Sequence, residues 1–257
     1  MEVFWFIAAA LGAGIGTGLA GLSAVPLARR TLHCLGRLIL YIVPCVMILL
    51  PLRFLTKIPS FVFRKLLHII AFTCFTVMML AAEDWPSAAL TSVIIAVVVY
   101  PLLALFENEP WYGRLFVQKS PGEIKRSLLM LFFMFAAVIA VAWGLCQKPY
   151  AAAASILMWG MGDAAAALVG IPLGKHKVMM RPVNGKKSWE GSFAMLTAAF
   201  LTGCVLLRQF GGFPFGTVLA ASLAGALAGA WAELLSPSEW DTVTVPAVIL
   251  VLLLVIL

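Results

Sequence analysis

Apolar runs close to the ~20 residues that a helix needs to cross a bilayer recur along the whole chain. They lie at about 3–22, 66–82, 86–106, 127–146, 150–171, 192–207, 215–235 and 244–257. Hydrocarbon admits only backbone that satisfies its own hydrogen bonds, so a chain with this pattern is restricted to an all-α polytopic membrane bundle. Composition agrees, with 63% hydrophobic and 11% charged residues over 257 positions, which a soluble domain does not reach. Glu2 stands where a cleavable leader would carry a basic region, so the first run is read as a span. One membrane domain, 1–257, is expected.

A further run, 38–52, is short and interrupted by Pro44 and Pro51. If it does not fully cross, the loops 23–65, 107–126, 172–191 and 236–243 share one side. That side then holds every Lys and Arg except Lys148 and Arg208, and the positive-inside rule makes it cytoplasmic. Eight crossings plus one re-entrant or interfacial hairpin are therefore expected, with nine crossings as the alternative. Arg53, Lys57, Arg64 and Lys65 alternate with Phe54, Leu55, Phe61 and Phe63, a basic amphipathic pattern expected to lie at the interface. Gly12, Gly14, Gly16 and Gly18 are spaced for close helix packing.

The net charge of +7 points to cytoplasmic loops, anionic headgroups and a phosphate-bearing substrate, not to nucleic acid. The five cysteines show no metal-ligand spacing and are read as small buried hydrophobes.

Asp163 is the sharpest chemical signal. A carboxylate at membrane depth is costly, and its presence points to function. At helical spacing Ala166, Ala167 and Gly170 share its face. The chain then leaves the apolar run through Gly170, Pro172 and Gly174 into a basic loop with Lys175, His176, Lys177, Arg181, Lys186 and Lys187. It re-enters through Ser188-Trp189-Glu190-Gly191, where Ser188 can cap a helix whose N-terminus faces an anion. Lysines and glycines of this density suit a polyphosphate, with Gly174, Gly185 and Gly191 allowing backbone N–H groups to come close.

A second acidic cluster holds Glu233, Glu239 and Asp241, with Ser236, Thr242 and Thr244. Gly225, Gly229 and Glu233 recur at i+4, so a close-packing stripe lies on the face of an acid. Two acidic clusters and a Lys/Gly loop on one membrane side predict a metal–nucleotide site, since Mg²⁺ is typically held by one or two carboxylates plus phosphate oxygens and water. Upstream, Arg64-Lys65-Leu-Leu-His68 leads into a span, and His68 lies one turn from Arg64, so both can face that site.

In order, Arg64-Lys65-x-x-His68, Gly162-Asp163, Gly170, Gly174-Lys175, Lys187-Ser188-Trp189-Glu190-Gly191-Ser192, Glu233-x-x-Ser236 and Asp241-x-x-Thr244-Val245-Pro246 resemble the motifs of the CTP-dependent lipid-alcohol kinases: dolichol or polyprenol kinase, phytol and farnesol kinase, and yeast-type diacylglycerol kinase. The resemblance covers about 60–246. Thr242 stands where that family usually has Asn. The central part is also similar to phosphatidate cytidylyltransferase, but the end of the chain looks like the kinases. The resemblance implies transfer of the γ-phosphate of CTP to the hydroxyl of a membrane lipid alcohol. It implies Mg²⁺ on Asp163 with Glu233 or Asp241, and the triphosphate on Gly174, Lys175, Lys177, Gly185, Lys186, Lys187, Ser188 and Gly191. One of the acids, Glu190 included, would take the alcohol proton. A transporter with an intramembrane acid is the alternative of another class; it gives no reason for the Gly/Lys/Ser-Glu-Gly loop.

Overall fold

The computed structural model describes residues 24–56, 58–109, 112, 122–179, 185, 187–236 and 240–257. The run expected at 3–22, Lys57, Arg181, Lys186 and Glu239 lie outside the described residues. Within them the chain forms eight helices: α1 (Ala24–Leu55), α2 (Ser60–Leu80), α3 (Trp85–Phe106), α4 (Glu123–Ile139, continuing as a π-helix over Ala140–Leu145), α5 (Pro149–Leu173), α6 (Trp189–Gln209), α7 (Phe215–Leu235) and α8 (Asp241–Ile256). Seven are long and apolar enough to cross a membrane, and α8 is a shorter apolar helix. The protein is an all-α, polytopic membrane bundle. Among the described residues no β-strand occurs, only an isolated antiparallel bridge between Lys177 and Ser188.

Successive helices run up and down. One end of the bundle gathers the end of α1, the start of α2, the end of α5, the start of α6, the end of α7 and the start of α8. Three pairs join these elements: Lys65 with Asp163, Lys187 with Glu233, and Ser236 with Thr244. The opposite end joins α1 to the start of α3 through Arg30 and Asp84, 2.8 Å apart, and α5 to the end of α8 through Lys148 Nζ, which donates to the Leu254 carbonyl at 2.7 Å.

The region 38–52 departs from expectation. It does not fold back as a hairpin; α1 runs unbroken through Pro44 and Pro51. Each proline deletes one helix hydrogen bond, but a chain break in hydrocarbon would orphan several backbone groups at once. Thr31, Cys34 and Leu38 are buried, and Thr91 Oγ1 on α3 donates to the Thr31 carbonyl at 3.4 Å. Arg29, Arg30 and Arg37 therefore sit at the end opposite Lys65, so residues 23–65 do not share one side and the alternative, a further crossing, holds. The basic, aromatic stretch expected at the interface falls at the end of α1 and the start of α2. Arg53 ends α1, donates to the Ile58 carbonyl and to Ser60 Oγ, and lies 5.6 Å over the Phe63 ring. Arg53 and Phe63 thereby tie the end of α1 to the start of α2.

α5 is the hub, touching α2, α4, α6, α7 and α8. Ala151, Ala152, Ala153 and Ala154 are fully buried, and small side chains let neighbouring backbones come close where lipid supplies no hydrophobic drive. The same logic applies to α7. A Cβ on Gly229 would lie 2.8 Å from Ile249 Cδ1 and one on Gly225 3.0 Å from Met158 Cε, as the stripe ending at Glu233 predicts. Below Asp163 the core is aromatic. Phe72 meets Trp159 edge-on at 4.8 Å and Phe135 at 4.9 Å, and Phe75 stacks on Phe135 at 4.4 Å. This rigid floor fixes the depth of the polar residues above it.

Candidate active site

Asp163 lies ten residues before the end of α5, ~15 Å below that helix end at 1.5 Å per residue. Lys65 Nζ approaches its Oδ2 to 2.6 Å and His68 Nε2 lies 3.3 Å from the same oxygen. Positions 65 and 68 are three apart on α2, so both side chains fall on one face. Arg64, one turn before His68, lies within electrostatic reach of Asp163 and His68 and also pairs with Glu123 on α4, 3.8 Å away. Lys65, not Arg64, is the cation on the acid. His68 is held by its neighbour one turn on, stacking on Phe72 with ring centroids 4.2 Å apart. Phe72 has room because residue 160 is glycine; a Cβ there would fall 2.0 Å from Phe72 Cδ1. Gly160 carries no motif signal, and only the packing reveals its part.

The second half of the site arrives from the loop before α6. Lys187 Nζ reaches Glu233 Oε1 at 2.9 Å and also donates to the Glu233 carbonyl. Side-chain exposures of 17% for Lys187 and 12% for Glu233 make this a pair largely withdrawn from solvent. Asp241, the first residue of α8, lies within electrostatic reach of Asp163, Lys187 and Lys65, and Glu233 within reach of Asp163 and Asp241. Three carboxylates on three helices thus lie within electrostatic reach at the bundle end that also holds Lys65 and Lys187. Ser236 caps the end of α7 by donating to the Ala232 carbonyl at 2.6 Å, and its hydroxyl meets that of Thr244 on α8. The Ser236–Thr244 contact joins the end of α7, which carries Glu233, to the start of α8, which carries Asp241.

Two described stretches of the basic loop, 174–179 and 187–188, pair antiparallel as a strap. Val178 N donates to the Lys187 carbonyl at 3.0 Å, and Trp189 N to the His176 carbonyl at 3.0 Å. Val178 is buried and anchors the strap. Gly185 occupies the left-handed region with φ +80 and donates to the Val178 carbonyl at 2.8 Å. Ser188 caps α6 as expected, its Oγ accepting from Gly191 N at 3.3 Å. Gly174 and Gly191 serve close packing between α5 and α6. A Cβ on Gly174 would lie 2.2 Å from the Gly170 carbonyl, and one on Gly191 3.0 Å from the Ala166 carbonyl.

Glu190 stands apart from the other acids. Its carboxylate accepts from the backbone of Lys175 at 3.2 Å and of His176 at 3.1 Å, and meets His176 Nδ1 at 2.7 Å. It ties the start of the strap to the N-terminus of α6. Lys175 and Lys177 are exposed, so they form an outer tier above the Lys65–Asp163 and Lys187–Glu233 pairs.

Among the described residues no three His, Cys, Asp or Glu side chains close into a ready metal-binding group. That donor set still fits a hard cation sharing its sphere with phosphate, which takes only one or two protein carboxylates.

No protein-family model matches the chain, and no solved structure matches it. The chain is 42% identical over 100 residues to a protein named Phytol kinase from Synechocystis sp., a match covering 38% of this chain and 41% of that protein. The chain thus aligns with about two fifths of that relative's length. This likeness supports the family that the motifs resemble, the CTP-dependent lipid-alcohol kinases.

Proposed function

We propose that this protein is a lipid-alcohol kinase that transfers the γ-phosphate of CTP to the hydroxyl of an isoprenoid-type alcohol dissolved in the membrane. The observation that carries the reading is the meeting of Asp163, Glu233 and Asp241 with Lys65 and Lys187 at one end of the bundle. The relative named Phytol kinase supports the acceptor class. Phosphoryl transfer asks the protein chiefly for positioning and charge neutralisation. Lys187, Lys175 and Lys177 supply cations along the strap, and Lys65 supplies one at depth. Asp163 with Glu233 or Asp241 would hold Mg²⁺, which neutralises phosphate charge when bound.

In the reaction the alcohol oxygen bonds to the γ-phosphorus and the bond from that phosphorus to the CDP oxygen breaks. The hydroxyl proton passes to a basic group of the site. The lipid tail stays in hydrocarbon while its hydroxyl reaches Asp163 below the helix ends. In this reading the site end is cytoplasmic, where CTP is found, and it carries eight described cations, among them Lys175, Lys177 and Lys187. The test is a panel of lipid alcohols offered to the purified chain with CTP or ATP, with products identified by mass. The expected product is a lipid monophosphate formed with CTP; turnover of no alcohol with either nucleotide would refute the reading.

A further inference from the structure

This inference rests on the proposed lipid-alcohol kinase reading, in which the strap and the start of α6 face the triphosphate. Helix N-termini and glycine loops usually meet phosphate through backbone N–H groups. Here those amides are already taken. Trp189 N donates to the His176 carbonyl at 3.0 Å, Gly191 N to Ser188 Oγ at 3.3 Å and Ser192 N to the Ser188 carbonyl at 3.1 Å. The N–H of Glu190 turns to its own carboxylate. On the strap, Val178 N donates to the Lys187 carbonyl and Gly185 N to the Val178 carbonyl. Lys175 N and His176 N end on Glu190 Oε1, at 3.2 and 3.1 Å. Each of these amides has an acceptor inside the protein, so an anion arriving here must be held by side chains.

The contact of Lys175 and His176 with Glu190 is unlike the others, because a side-chain charge closes it. Glu190 Oε2 also accepts from His176 N at 3.3 Å. Two successive N–H groups converging on one carboxylate form a small anion nest, and the chain fills that nest itself. Hydrogen bonds to a charged acceptor are roughly twice as strong as neutral ones. On the other side of Lys175, Gly174 is wedged against the start of α6, where a Cβ would lie 2.5 Å from Ser188 Oγ. The backbone at 175 is thus clamped from both sides, and the exposed Lys175 side chain is left free to reach outward. The His176 ring meets Glu190 at 2.7 Å but is 79% exposed, so the two amides carry the clamp.

We propose that Glu190 is a positioning residue for the nucleotide: it fixes the backbone of Lys175 so that the Lys175 ammonium meets the triphosphate, and it neither binds metal nor receives the alcohol proton. A clamp of this kind depends on reach more than on charge. Glutamine spans the same distance and keeps a carbonyl oxygen for the two amides. Aspartate keeps the charge and falls one methylene short. A base or a metal ligand would rank the two replacements the other way.

The test measures CTP binding to the whole chain in detergent by equilibrium dialysis, with transfer from γ-labelled CTP to phytol followed in parallel. Glu190→Asp should raise the Kd for CTP about tenfold, the worth of one hydrogen bond to a charged group, and leave kcat at saturating CTP within about twofold. Glu190→Gln should keep both quantities within about threefold of the wild type. In a Lys175→Ala background, Glu190→Asp should add less than about twofold, because the residue acts through Lys175. An inactive Glu190→Gln beside an active Glu190→Asp would make the charge itself the function and overturn the assignment. So would an unchanged Kd in Glu190→Asp, or a tenfold effect that persists in Lys175→Ala. A wild type that binds CTP yet labels no lipid alcohol overturns the kinase reading alone, since the Kd series is read without turnover. A wild type that binds no CTP overturns both.

Discussion

Lys187 Nζ and Glu233 Oε1 lie 2.9 Å apart, and this pair ties the strap before α6 to the end of α7. Two motif segments separated by 46 positions thereby meet in one ion pair. The pair holds Lys187 against an acid of the site, so under the proposed function CTP and Mg²⁺ would have to exchange its partners. Lys187→Met with Glu233→Gln should show a coupling free energy of about 1 kcal/mol in thermal unfolding without nucleotide. The double variant should regain stability but not activity. Additive single effects would mean that the pair contributes nothing to the fold.

Asp163→Asn keeps the size of the side chain and removes the charge opposite Lys65. The account expects turnover to fall by about 1000-fold, as for loss of a group that stabilises transition-state charge, with the protein still eluting as a folded species. Chelation of divalent cations should abolish activity in the wild type, and added Mg²⁺ should restore it. Wild-type turnover at saturating CTP and Mg²⁺ in Asp163→Asn would remove this residue from the site.

Gly174→Ala should be more damaging than Gly160→Ala. The new Cβ at 174 meets the Gly170 carbonyl at 2.2 Å, and backbone cannot swing aside; at 160 it meets the Phe72 ring, 2.0 Å away, which can shift at an overpacking cost of about 1–3 kcal/mol. Thermal melts in detergent should place Gly174→Ala below Gly160→Ala. Gly160→Ala should in addition lose transfer activity, because moving Phe72 moves His68. An active Gly160→Ala protein would separate the aromatic floor from the chemistry.

The membrane crossing of α1 is directly measurable. In a cysteine-depleted background, single cysteines at Thr56 and Met179 should react with an impermeant reagent from one side, and cysteines at Val25, Glu83 and Gln147 from the other. Val25 and Thr56 reacting from the same side would return the chain to a hairpin over 38–52.

Much of this architecture was legible from apolar run length, and α3, α5 and α7 match their sequence ranges closely because nothing in those runs competes with a helix. α1 was not legible in that way. Prolines and flanking arginines signal a break in any local reading, whereas the cost of orphaned backbone in hydrocarbon is a property of the surroundings. The site shows the same division. Asp163, Lys187 and Glu233 stand out because charge at the edge of apolar sequence is expensive, and Ser188 because its spacing fits a cap. Which cation meets which acid depends on helix rotation. That is why the pairing of Lys65 with Asp163 could not be read from the motif, and why Gly174 and Gly191, glycines suited to a phosphate loop, are also required by the contact between α5 and α6.

The central claim is chemical, and one labelling experiment bears on it most directly. CTP labelled at the γ-phosphorus is incubated with the purified chain, Mg²⁺ and a lipid alcohol, and the label is followed by chromatography. Cleavage between the β- and γ-phosphates, as proposed, puts the label in a lipid monophosphate and leaves unlabelled CDP. Label appearing only in pyrophosphate, with the cytidine moved onto lipid, would contradict the account and make the protein a cytidylyltransferase.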